Sequence, residues 1–151
     1  MAFISQDDRE FLKEKFAAEL KEQVHISLFT QPTSKLVIPG RRECQYCQTT
    51  QELLEEVVSL SDKMVLQVVD VTSQPEEAAR AGVQRVPAIA LGRDGASNIR
   101  YYGVPAGNEF PNFIQDIIHL SQGSSPLSEQ ARKRVNLIDE DVRITVFVTP
   151  T

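Results

Sequence analysis

Two β-strand patterns, Val24–Thr30 and residues 64–71, are separated by one helical pattern at residues 48–60. Strand, helix and strand in that order impose parallel pairing and a right-handed crossover, and no other stretch narrows the fold as far. Immediately before the helix stands Arg41-Arg42-Glu43-Cys44-Gln45-Tyr46-Cys47, which holds both cysteines of the sequence. A helix start offers free N–H groups and the positive end of the helix dipole. Both stabilise a thiolate, the nucleophile of thiol–disulfide exchange. Cys44 is expected at the helix tip, exposed, as the attacking thiol. Cys47 is expected one turn in, shielded, as the resolving thiol. Arg41 and Arg42 add positive charge that favours a thiolate at Cys44, and Glu43 partly offsets it.

Other uses of a cysteine pair fit less well. A structural disulfide here would staple only a very short loop, which gains little chain entropy. A zinc site needs four ligands, and one pair of cysteines with His25 and His119, the two histidines present, falls short. A cluster or metal shared between two chains stays open as an alternative. The net charge of −5 argues against nucleic acid as a partner. The sequence contains no apolar run of membrane length, and its acidic start (Met1-Ala2-Phe3-Ile4-Ser5-Gln6-Asp7-Asp8) is unlike a signal peptide. The expected compartment is the cytoplasm, where paired cysteines suggest chemistry more than scaffolding.

In chain order, Ser5 and the early acids open an amphipathic helix that is expected to run to about Glu22. His25 falls on the polar face of the strand Val24–Thr30. A long connection, 31–43, contains the apolar run Leu36-Val37-Ile38 and two prolines. Loops of that length are often functional. The strand at 64–71 is almost wholly apolar, which predicts burial on both faces. A short helix follows at 75–81. Val86-Pro87 then precedes a strand at 88–91, a Gly-Arg-Asp-Gly turn and a strand at 99–103, a pattern that reads as an antiparallel hairpin. Residues 108–120 form a closing helix with an apolar stripe, and His119 at its end complements the dipole.

The Ser/Gly/Pro run at 121–126 is the best boundary in the chain. It divides the sequence into a domain at 1–122, a linker at 123–127 and a segment at 128–151. That last segment predicts a helix over 128–138 and a strand over 142–148. It also repeats earlier sequence: Val142-Arg143-Ile144-Thr145-Val146-Phe147-Val148-Thr149-Pro150-Thr151 aligns without a gap on residues 24–33. A lone helix and strand cannot bury a core. The chain is therefore expected to be a truncated product that opens a second unit of the same kind. The tail strand then needs an edge, on the first domain or on a second copy in a homodimer.

Strand–helix–strand, helix, hairpin and helix, with CxxC opening the crossover helix and X-Pro before the third strand, resembles the α/β thioredoxin fold. With the extra N-terminal helix, the chain resembles the N-terminal half of the tandem protein disulfide oxidoreductases, or glutaredoxin-like proteins, of thermophilic archaea and bacteria. Three stretches carry the likeness: Cys44-Gln45-Tyr46-Cys47, the run from Arg100-Tyr101-Tyr102-Gly103 to Phe110, and residues 138–151 ending in Thr149-Pro150-Thr151.

The resemblance implies dithiol–disulfide exchange on protein thiols and disulfides without a bound cofactor or metal. It also implies electrons from a thioredoxin-reductase-like flavoprotein and a missing C-terminal thioredoxin-like unit. Carried over by position, Cys44 attacks, Cys47 resolves, and Tyr46, Val86 and Pro87 meet the substrate, with the Val86–Pro87 bond cis. Departures from the pattern are the long 31–43 connection, the lack of an acidic residue on the strand Val24–Thr30, and the absence of a Gly-Gly-x-Asp glutathione-binding segment. The competing readings are a redox relay or docking module of a peroxide-reducing flavoprotein system, and a glutaredoxin-like cluster-binding dimer.

Overall fold

The computed structural model describes residues 3–32, 43–93 and 96–147. Helix α1 (Gln6–Glu19) starts where the Ser5 hydroxyl accepts the Asp8 N–H at 3.2 Å and donates to the Asp8 carboxylate at 2.6 Å. This reciprocal cap occupies an N–H that a helix start leaves free. The helix stops short of Glu22 because Leu20 turns to an extended backbone and is itself buried, heading the chain into β1 (Val24–Thr30).

Helix α2 (Cys47–Val58) connects β1 to β2 (Met64–Asp70), and α3 (Pro75–Arg80) leads to β3 (Ala88–Arg93). Strand β4 (Ala96–Tyr102) completes the hairpin, and α4 (Phe110–Gln122) follows a single 3₁₀ turn at Gly107–Glu109. Gly123, at φ +62°, ends α4 in the left-handed conformation that glycine adopts at least cost. The sheet order is β2-β1-β3-β4, with β1 and β2 parallel and the other neighbours antiparallel. This is the mixed sheet that the resemblance to the thioredoxin fold implies.

Side chains from α1, α2 and α4, among them Phe16, Leu54, Phe113 and Ile117, pack on one face of the sheet. Ala78 of α3 joins Phe29, Val69, Ala88 and Ala90 on the other. Burying each large apolar side chain contributes about 1.5–3 kcal/mol, so the three-helix face holds most of the stabilisation.

Two expectations need correcting. Strand β2 is not buried on both faces: among the described residues it lies at the edge of the sheet, and Val65 and Val68 are 38% and 42% exposed. Its apolar run therefore mimics a central strand without being one. The strand expected at 142–148 does not form over its described part. Residues 142–147 have no strand pairing, and Ile144 and Phe147 are 82% and 92% exposed. Strand propensity cannot hold a strand whose backbone has no neighbour to bond. The preceding helix α5 (Glu129–Val135) is shorter than expected and has no buried residue.

Long-range polar contacts lock this frame. The Glu56 carboxylate, near the end of α2, accepts the N–H groups of Phe3 and Ile4 and pairs with Arg9 at 2.9 Å. Burial alone would raise its pKa. The two backbone N–H groups and Arg9 reverse that and hold it below the usual carboxylate range. Ser121, fully buried, donates to the Glu22 carbonyl and accepts the Lys21 N–H, tying α4 to the turn before β1.

Candidate active site at the carboxyl end of the sheet

The register puts four strand ends together. Thr30 pairs with Asp70, Phe29 with Ala88, and Ala88 with Tyr102. The carboxyl ends of β1, β2 and β4 thus meet the start of β3, the side on which open α/β sheets bind their ligands. The N–H of Gln31, one residue past β1, lies 3.4 Å from the Cys47 sulfur and donates to it. That contact fixes the cysteine pair at this end of the sheet.

Cys44 and Cys47 form a disulfide with an S–S distance of 1.98 Å. Cys47 is the first residue of α2 and is 2% exposed, whereas Cys44 lies before the helix and is half-buried. Cys47 is the more shielded of the two, but the placement differs from the expectation: Cys44 lies before the helix and is half-buried instead of exposed at its tip, and Cys47 opens the helix instead of lying one turn inside it. Tyr46 is the N-cap residue, has no side-chain capping bond and is 53% exposed. The first turn of α2 contains no acidic side chain, so no charge on the helix cancels its positive end. Thr50, buried, returns its hydroxyl to the Tyr46 carbonyl at 2.7 Å and holds the cap in place.

Pro87 is buried immediately before β3, and the Val86–Pro87 peptide bond is cis. Its carbonyl accepts the Gly103 N–H at 3.0 Å, which closes the β3–β4 end beside it. Val86 is half-buried and takes part in none of the described hydrogen bonds. Arg41 and Arg42 lie outside the described residues. His25 sits at the opposite end of β1, paired with Gly92 and Val65, too far away to serve Cys44 as a base.

The sequence reading missed two groups. The Gln31 N–H has no sequence signal, because any residue except proline supplies it. Asp70 ends β2 beside Thr30. Burial would raise its pKa, but the Thr72 N–H and the Ser73 hydroxyl, at 2.8 and 3.1 Å, hold it below the usual range. It is therefore a turn-forming anion, poorly suited to take a proton from a thiol. The pattern Asp-x-Thr-Ser after a strand is a recognisable turn signal that could have found it.

A polar cleft of about 450 Å³, lined by Thr30, Gln31, Gln48, Gln51, Glu52 and Asp70, opens between α2 and the end of β2. A larger groove of about 600 Å³, lined mainly by apolar residues of α1, α2 and α4, contains neither cysteine. Among the described residues, no three His, Cys, Asp or Glu side chains are grouped to hold a metal, and no helix is long and apolar enough to cross a membrane.

The thioredoxin domain family profile matches residues 35–115. A probable thioredoxin of Methanothermobacter thermautotrophicus is 30% identical over 94 residues, which span 62% of this chain and 94% of that protein. The crystal structure of a protein disulfide oxidoreductase from Aeropyrum pernix superposes with a TM-score of 0.73 at 22% identity, covering 91% of this chain and 56% of that one. The alkylhydroperoxide reductase AhpF of Enterococcus faecalis gives 0.72 at 21% identity, covering 89% of this chain and 60% of that one. The chain thus spans under two thirds of either of those two solved proteins.

Proposed function

The chain belongs to the thioredoxin domain family, and from that premise we propose that its cysteine pair carries out thiol–disulfide exchange on protein substrates, with Cys44 attacking and Cys47 resolving. The supporting observation is the Cys44–Cys47 disulfide at the start of α2, with Cys44 half-buried and Cys47 shielded. In the reducing direction, the Cys44 thiolate attacks one sulfur of a substrate disulfide. A mixed disulfide forms and the other substrate sulfur leaves as a thiolate. Cys47, after losing its proton, attacks the Cys44 sulfur and expels the second substrate thiolate. The protein is left with its own disulfide, and two electrons have passed to the substrate. A thioredoxin-reductase-like flavoprotein would return two electrons and two protons to the pair. The reverse sequence oxidises a substrate dithiol.

The Gln31 N–H, aimed at the Cys47 sulfur, supports negative charge there during resolution. Val86, whose backbone makes no hydrogen bond among the described residues, offers an extended substrate segment a strand-like partner beside Pro87. The exposed Tyr46 ring offers that segment an apolar surface. Arg41 and Arg42 are read as cations that favour the Cys44 thiolate. Residues 128–151, beyond a linker at 123–127, are read as the opening of a second thioredoxin-like unit. Support comes from the sequence repeat and from the uncovered Leu137, Ile144 and Phe147, which such a unit or a second copy of the chain would cover. The compartment consistent with a reducible pair is the cytoplasm.

Insulin reduction driven by dithiothreitol tests the reading. Cys44→Ser is expected to fall to background, and reduced Cys47→Ser, mixed with insulin after the dithiothreitol is removed, to accumulate a mixed disulfide with the substrate. Undiminished turnover in Cys44→Ser would refute the assignment.

A further inference from the structure

The residues just before Pro87 include a charge that the exchange chemistry does not use. The Arg85 guanidinium stacks over the Tyr102 ring, its carbon 4.7 Å from the ring centroid. The position of that ring follows from the fold. Tyr101 packs edge-on against Phe113 at 5.3 Å and donates to Asp116 of α4. Strand alternation then sends Tyr102 to the opposite face, where α3 lies. Tyr102 pairs with Ala88, and the Gly103 N–H holds the Pro87 carbonyl, so the stacked pair sits at the same sheet end as the cysteines.

Neighbouring arginines are already engaged: Arg80 with Glu77 at 2.7 Å, and Arg100 with the Ala81 carbonyl at 2.7 Å. Arg85 is exposed, and among the described residues it makes no ion pair or hydrogen bond. Its planar fork of donors is thus immobilised by an aromatic face and left pointing at solvent. That arrangement suits a carboxylate and lowers the ordering cost of binding one.

We infer that Arg85, positioned by Tyr102, selects disulfide substrates with an acidic side chain near the reacting cysteine. This rests on the thiol–disulfide exchange reading above and adds the substrate class. The spacing follows from the sheet. Two strand separations of about 4.8 Å lie between the end of β1 and Tyr102, and an extended substrate advances about 3.3 Å per residue. An acid roughly three residues from the substrate cysteine therefore reaches the guanidinium.

The test uses the full chain, recycled by dithiothreitol with the uncatalysed rate subtracted, and disulfide-bridged peptides that differ only in carrying Glu, Gln or Lys at the third residue on either side of the cysteine. The unaltered protein is expected to prefer the Glu peptide over the Gln peptide by roughly threefold to fivefold in kcat/KM at low salt, the size of a part-exposed charge pair. The Lys peptide should rank last, and added salt should erase the order. Arg85→Gln should remove the preference and Arg85→Glu reverse it, with turnover of the Gln peptide unchanged in both. Tyr102→Leu keeps the charge but frees it, so the preference should shrink without loss of Gln-peptide turnover.

Equal rates on all three peptides with the unaltered protein would overturn the proposal. So would an unchanged order in Arg85→Glu. A failure to reduce any peptide is a different result, since it removes the exchange reading itself and the selectivity with it.

Discussion

The two ends of α2 are built to opposite specifications. Its start has no side-chain cap and no acid, and it contains a cysteine whose partner reaches solvent. Near its other end, Glu56 is buried with every contact filled: two backbone N–H groups and a guanidinium. One helix thus leaves its dipole open where chemistry needs a stabilised anion, and it places a fully bonded anion where the N-terminal segment must be held down. Uncompensated donors at a helix start are a resource for a thiolate. An uncompensated carboxylate near the other end would only destabilise.

Substitutions at the two ends should therefore separate activity from stability. The largest expected effect is Cys44→Ser, with exchange activity reduced by roughly 10³-fold or more, as when a nucleophile is removed, and little change in the thermal midpoint of the reduced protein. Insulin turnover alongside calorimetry checks both halves. Glu56→Gln should do the converse. It is expected to lower unfolding stability by about 1–3 kcal/mol in urea titration, because the Phe3 and Ile4 N–H groups and Arg9 lose their shared anion. Turnover per folded molecule should hold.

The pH dependence sharpens the same contrast. Glu56 has a folded pKa below its unfolded value of 4.5, so its stabilisation is present above that value and is lost as pH falls through the folded pKa. Unfolding free energy should therefore drop below about pH 4.5 in the unaltered protein and drop less steeply in Glu56→Gln.

A smaller effect is expected from Gln48→Glu, which puts a negative charge into the first turn of α2. Attack by Cys44 at neutral pH should slow roughly twofold to fivefold as the helix end becomes less positive. Stability should stay within about 0.5 kcal/mol, since the dipole gain is offset by repulsion from Glu52 one turn on. Stopped-flow reduction of a small disulfide reads the rate. The smallest effect is expected from deleting residues 128–151. With α5 free of buried residues, the thermal midpoint should move by no more than a degree or two, corresponding to roughly 0.5 kcal/mol.

Several features were legible because they are local. The strand Val24–Thr30 has the same bounds in the sequence pattern and in the structure. The helix after the cysteines, the proline-led α3 and the hairpin are announced by periodicity and turn residues close at hand. The cysteine pair was legible for the same reason, since its spacing and its place before a helix both lie within a few residues. Burial of β2 was misjudged, because Val65 and Val68 look alike whether a strand is flanked on one side or on two. Residues 142–147 form no strand, because alternation describes a strand's faces and the described residues offer this one no edge to pair with.

By itself, then, the sequence determined the order of elements, the parallel crossover and the identity of the two sulfurs, since each follows from patterns a few residues long. Only the tertiary structure decided that β2 lies at an edge, that the Gln31 N–H meets Cys47, that Glu56 clasps Phe3, Ile4 and Arg9, and that Arg85 rests on Tyr102. These contacts join residues far apart along the chain. Their free energy comes from packing and shared burial, which no local pattern encodes.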